Sequence, residues 1–211
     1  MSICKESFMK PILNWSLVIA LLFAATAEAQ QTINGCLIKR KTSCPGVNLS
    51  SANLPKSNLS GADLAGANLS GSDLSGSKIT ETNLIKANLS NANFSGANLS
   101  ETYLTGANLS HANFAKADLS QSTLPDANLR ESSLAGANLS LANLKGSDLT
   151  GVNAKGAVFV MTSLVNANLT RVDLTEATLV GADLRNAILE GALFCKTTMP
   201  DRSINNSGCA K

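Results

Sequence analysis

Every fifth residue from Leu49 to Phe194 is apolar, without a single insertion or deletion. The register holds thirty five-residue units, and twenty-four of the thirty centres are Leu. The other six are Ile79, Phe94, Phe114, Ala154, Phe159 and Phe194. Every residue two before a centre is Ala, Ser, Thr or Val. Beyond the first 29 residues, Phe occurs at centres alone, which predicts a buried column with room for large side chains.

Neither regular element tolerates this period. On an α-helix a step of five turns the position by about 140°, so the apolar residues would smear around the axis. On a flat strand an odd repeat switches faces at each unit. What remains is a chain that bends once per unit and always turns the centre inward. The small residue two before the centre shares its parity and faces inward with it. Such a chain winds into a coil, and stacked coils pair the backbone groups that a lone coil leaves open.

Units such as Ala67-Asn68-Leu69-Ser70-Gly71 spell A-(D/N)-L-x-x, and Ala107-Asn108-Leu109-Ser110 continues with His111 where the first has Gly. With this motif the chain resembles the pentapeptide-repeat family over residues 47–196. The resemblance implies an all-β, right-handed quadrilateral β-helix with four units per coil. Thirty units then make about 7.5 coils, a stack roughly 36 Å long at the inter-strand spacing of about 4.8 Å. The residue before the centre is Asn or Asp in twenty-one units. Such side chains bond nearby backbone and tolerate bends. In a twenty-residue coil Asn48, Asn68, Asn88, Asn108 and Asn128 share a column and can form an amide ladder. The two residues after the centre are expected to face water.

The flanks divide the chain further. Lys5 and Lys10 precede an apolar run from Ile12 to Ala25, and Ala27-Glu28-Ala29 makes a small-x-small site before Gln30. This is the pattern of a cleavable secretory signal, here residues 1–29, with a cut after Ala27 as the alternative. A membrane anchor would need roughly 20 apolar residues, and Asn14 interrupts a shorter run. Residues 30–46 and 197–211 are expected to cap the ends of the 47–196 solenoid, because an open end invites aggregation. Met199 falls on the next centre position, which leaves room for a further partial unit, and Pro200 fits as a stop.

Cys36, Cys44, Cys195 and Cys209 remain after the signal. An even number in an exported chain points to two disulfides, and four Cys allow three pairings. On the rod implied by the resemblance the two pairs lie at opposite ends, beyond the reach of about 7 Å between Cα atoms. Unless a tail folds back along the rod, that leaves Cys36–Cys44 and Cys195–Cys209. Their spacings are not those of a zinc ribbon, and the sequence calls for no metal or cofactor.

Nothing in the sequence assembles an active site. His111 is the one His, it lies two after a centre, and Ser recurs at repeat positions throughout. The expectation is therefore no enzyme. A net charge of +2 is too small for a nucleic-acid or membrane-surface partner. It also argues, together with export, against the acidic DNA mimicry known in the family. The outward positions turn apolar between about 141 and 180: Leu141, Val158, Val160, Met161, Val165 and Val180 form a possible interaction patch, for a protein partner or a homodimer. The expected role is a structural or protein-interaction module of the periplasm or thylakoid lumen. An inhibitor that binds an enzyme is the alternative.

Overall fold

In the computed structural model, residues 31–209 are described; the signal-peptide expectation for residues 1–29 lies outside them. Among the described residues there is no helix. Parallel bridges join residues twenty apart, as in Asn48↔Asn68↔Asn88↔Asn108, and run in four columns from Ser43↔Asp63 to Thr178↔Thr198. The coil therefore takes twenty residues and four five-residue units.

One repeating set of hydrogen bonds builds it. Up to Leu179, the N–H of each centre donates to the coil that follows, as Leu89 N–H does to the Asn108 carbonyl at 2.7 Å. The residue before a centre donates to the coil that precedes, as Asn108 N–H does to the Ala87 carbonyl at 3.0 Å. Between units, the residue three after a centre donates back to it, as Ala112 N–H does to the Leu109 carbonyl at 3.2 Å. That last bond closes a β-turn around the two residues after the centre. The third turn residue has positive φ in every unit from Gly46 to Lys196, between 52° and 69°. This is the second central position of a type II turn. Pro45, Pro55 and Pro125 occupy the position before it, where proline's fixed φ fits.

The bend thus sits two residues after the centre rather than at the Asn or Asp before it. Those side chains stand within the paired strand segments, and their part is to bond the backbone at the following turn. The sequence carried a sign of this. Gly fills thirteen of the turn positions from 46 to 196, and Val, Ile and Thr fill none, whereas Thr and Val recur one residue earlier. A β-branched side chain at positive φ collides with its own backbone.

Inside the coil the centres form the core, with Leu59, Leu89, Leu109 and Leu139 all at 0% exposure. The small residues two before them line the wall between. Buried hydroxyls there bond the carbonyl of a centre in the preceding coil: Thr82 to Leu59 at 2.9 Å and Thr162 to Leu139 at 2.7 Å. Ala154 interrupts the Leu column, and the wall beside it is larger than usual, with buried Val152 and Val172.

At the first end β1 (Thr32–Ile33) and β2 (Cys36–Leu37) form an antiparallel pair. Coil pairing then starts one unit before the Val47 register, because Thr42 and Cys44 occupy the small and central positions. At the other end it runs past Lys196: Thr198 bridges Thr178, and the Pro200 carbonyl still accepts Gly181 N–H at 3.0 Å. Proline lacks only the donor, so Pro200 does not stop the coil. Beyond it the chain turns back, and β4 (Ile204–Asn205) pairs antiparallel with β3 (Thr197–Thr198).

Candidate interaction surface

Three positions of each unit make the outer surface: the residue before the centre and the two after it. Most of the Asn and Asp side chains there are occupied by the fold. Asn48, Asn68, Asn88 and Asn108 each accept the N–H two residues on through Oδ1, at 3.1–3.2 Å. Their Nδ2 groups run up the ladder, Asn68 to Asn48 at 3.3 Å, Asn108 to Asn88 at 3.3 Å and Asn128 to Asn108 at 3.2 Å. Where Asp replaces Asn it serves as an acceptor, as Asp73 does for Asn93 at 3.0 Å. No two Asp are neighbours in a column, which avoids facing two carboxylates across one coil spacing.

The same bonds hold several carboxylates below their usual range. For Asp73 the backbone N–H of Ser75 is the main cause, with the Ser75 hydroxyl and Asn93 adding to it. For Asp148 burial acts first and pushes the other way, but Thr150 and Arg130 outweigh it. Asp173 repeats that balance with Thr175 and Lys155. The ion pairs, such as Arg130–Asp148 at 3.0 Å, lie on the surface, where each contributes at most about 1 kcal/mol.

His111 Nδ1 lies 3.5 Å from Glu131 Oε2, with both side chains more than half exposed. No hydroxyl or thiol is bonded to the ring among the described residues, so a base has an orienting carboxylate but no nucleophile to serve. Among the described residues, no three His, Cys, Asp or Glu side chains cluster closely enough to hold a metal ion. No helix among them is long and apolar enough to cross a membrane.

The apolar positions do gather. Leu141 N–H donates to the Val160 carbonyl and Met161 N–H to the Val180 carbonyl, each at 2.9 Å, so these residues occupy successive coils of one face. Val158 lies between Asn138 and Thr178 on that face. Leu141 and Met161 are 54% and 63% exposed, while Val158, Val160 and Val180 are half-buried. Gly181 makes room for the Met161 side chain, whose Cγ would stand 3.4 Å from a Cβ there. Val165 is also half-buried but belongs to the following unit, across the turn.

Other exposed apolar residues escaped the sequence reading. Ile85 and Tyr103 lie on the face that carries Val165, several coils from it, and not on that of Leu141 and Met161. Ile188 and Leu193 stand in the last coil where other units carry Asn or Asp, and Ile204 lies on the returning tail. The departure from Asn or Asp at positions 103, 188 and 193 was the available signal.

The four Cys form two bonded pairs, Cys36–Cys44 and Cys195–Cys209, with Cα atoms 5.8 and 4.6 Å apart. Their surroundings differ. Cys44 sits at a centre position and packs with Cys36 against the apolar core. Cys195 sits on the outer turn position after Phe194, and neither it nor Cys209 joins that core.

Among curated proteins none matches this chain in sequence. Solved structures similar to it include HetL, a pentapeptide repeat protein involved in heterocyst differentiation regulation from the cyanobacterium Nostoc sp. strain PCC 7120. The two are 26% identical over 89% of this chain and 98% of that one, with a TM-score of 0.39. Full-length QnrB1, a plasmid-mediated fluoroquinolone resistance protein, is 16% identical over 79% of this chain and 92% of its own, with a TM-score of 0.44. A pentapeptide repeat protein of the Arabidopsis thaliana thylakoid lumen is 25% identical over 55% of this chain and 63% of its own, with a TM-score of 0.18. The family model for pentapeptide repeats matches eight copies, over residues 43–80, 82–121, 124–160 and 155–191. That span takes in most of the coils described above, and the chain belongs to the pentapeptide repeat family.

Proposed function

We propose that this protein is a non-enzymatic docking module, a stiff solenoid that presents a side face to a protein partner outside the cytoplasm. Its finer architecture in this reading is a right-handed quadrilateral β-helix of about 7.5 coils, roughly 36 Å long at about 4.8 Å per coil. Within segments 30–46 and 197–211, the parts that leave the coil pairing act as its caps, each pinned by a disulfide. The observation that carries the docking role is the exposed pair Leu141 and Met161, 54% and 63% exposed on adjacent coils and the two most exposed large apolar residues of the repeat coils. Apolar surface gathered on one side of a soluble protein commonly marks an interface, and Met adapts to the shape of what it meets. Most of the outer Asn and Asp groups are engaged by the coil itself, which suits a spacer or platform better than a catalyst.

The compartment reading rests on residues 1–29 and on the two cystines, since disulfides persist in oxidising surroundings. The periplasm and the thylakoid lumen both qualify. N-terminal sequencing of native protein should begin at Gln30, and recovery of intact Met1 in the membrane fraction would remove the export reading. Replacing Val160 and Met161 with Ser should abolish partner recovery, or halve the mass in light scattering if the partner is a second copy. An unchanged mass together with an unchanged set of bound proteins would reduce the patch to local packing.

A further inference from the structure

The two cystines are not equivalent, and their difference points to a switch. Thiol–disulfide exchange needs a thiolate to reach a sulfur, so access governs the rate. Cys36 is 1% exposed, and its partner Cys44, though only half-buried, occupies a centre position packed against the core. Cys195 and Cys209 are both partly exposed and lie outside that core. An approaching dithiol can reach the second pair without disturbing a coil.

What the second pair holds is the returning tail. β4 meets β3 through only two residue pairs, Thr197↔Asn205 and Thr198↔Ile204. Gly208 N–H donates to the Phe194 carbonyl at 2.7 Å, and Lys196 N–H donates to Asn206 Oδ1 at 2.9 Å. The tail lies so close that a Cβ on Gly208 would stand 2.9 Å from the Phe194 nitrogen. A two-stranded pair of this size is marginal without support. Under the tail lie half-buried Phe194 and exposed Leu193, and beside them half-buried Leu184 and Leu189. Among the described residues no backbone acceptor meets the N–H groups of Leu184 and Leu189. The tail therefore covers part of the last coil's edge and leaves the rest open.

We propose that Cys195–Cys209 is a reducible clamp, opened by a dithiol protein while Cys36–Cys44 stays closed, and that its opening releases residues 203–209 and bares the edge at Phe194. One thiolate of the dithiol protein attacks a sulfur of the pair, and a mixed disulfide forms as the Cys195–Cys209 bond breaks. Its second thiol then attacks that mixed disulfide. Two electrons and two protons pass to this chain, which ends with two thiols, and the dithiol protein ends with one disulfide. This inference stands apart from the docking patch, which lies on the side of the rod.

The test is differential alkylation of the oxidised full chain, treated with thioredoxin-class dithiol protein and its reductase and mapped by mass spectrometry. Hydrogen exchange is measured in parallel. Cys195 and Cys209 should be labelled at least about tenfold faster than Cys36 and Cys44, as access dictates. Amides of residues 203–209 and Lys196 should lose protection together with that labelling, while those of 64–160 keep theirs. The Cys195→Ser/Cys209→Ser double variant should show the same exchange pattern without reductant, and circular dichroism confirms that it folds. If that variant does not fold, the wild-type time course decides alone. Equal labelling of both pairs, earlier labelling of Cys36–Cys44, or reduction that leaves tail protection unchanged would overturn the proposal.

Discussion

Phe94 and Phe114 stand one coil apart with ring centroids 5.0 Å from each other and planes inclined by 2°. The separation is close to the spacing of about 4.8 Å between adjacent strands. The stack is thus set by the backbone, with each ring standing over the one below. Phe114→Ala should cost about 3–5 kcal/mol, in the range of other aromatic truncations in cores. Phe114→Leu should cost less, because Leu is the usual occupant of these centres. Urea denaturation of the two variants checks the order.

The positive φ at the second turn residue gives a prediction that polarity alone would not. His111 has φ 58° and an exposed side chain, and Thr105 occupies the first turn position of the unit before it. His111→Val should destabilise by about 1–2 kcal/mol, the cost of a left-handed conformation for a branched residue. His111→Gly should be neutral or stabilising, since Gly takes that conformation freely. Thr105→Val should be near neutral. Thermal melts of the three proteins separate backbone strain from loss of surface polarity.

Among the described residues, Ser132 Oγ is the buried side-chain atom with no hydrogen-bond partner. Thr162, on another column, donates to the Leu139 carbonyl at 2.7 Å. Ser132→Ala should therefore stabilise by up to about 1 kcal/mol, because it removes an unsatisfied polar group. Thr162→Val should destabilise by about 1 kcal/mol, since it removes a made bond at nearly constant volume. Chemical denaturation that gave both changes the same sign would mean the two hydroxyls are not distinguished as described.

The lowered carboxylates set a pH dependence. A carboxylate whose folded value lies below its unfolded one adds stability above the unfolded value of about 3.9 and loses it as pH falls through the folded value. Asp73, Asp148, Asp173, Asp183 and Asp201 all shift in this direction. The denaturation midpoint should stay flat from neutral pH down to about 5 and fall below about 4. Asp73→Asn keeps the acceptor for Ser75 N–H and should flatten part of that fall. A midpoint that rose on acidification would contradict the ladder's role.

Much of this was legible because the coil repeats one rule. Period five with Leu at the centre and a small residue two before it specified the inward side, and Leu109 and Ala107 lie there at 0% and 1% exposure. The amide ladder from Asn48 followed from the twenty-residue step. The position of the turn was not legible because it is a backbone property: Ser51, Lys56, Glu81 and Leu141 look unlike one another and share only φ. The ends were harder for a related reason. Thr42 and Cys44 continue the coil in residues that do not look like the repeat. Ile188 and Leu193 are exposed because they hold the outward position before a centre, where most units carry Asn or Asp. The patch at Leu141 and Met161 was visible as a break in the outer pattern.

The account rests on which residues of each unit point inward, and one coil in mid-stack tests it directly. Leu109→Ala, Ala107→Leu and Ser110→Ala are compared by urea denaturation. Leu109 is fully buried, so its truncation should cost about 2–5 kcal/mol. Ala107→Leu should cost about 1–3 kcal/mol by overpacking the wall beside it. Ser110→Ala should stay within about 0.5 kcal/mol of the parent. Equal effects at all three positions, or a larger loss at Ser110 than at Leu109, would contradict the inward register and with it the solenoid.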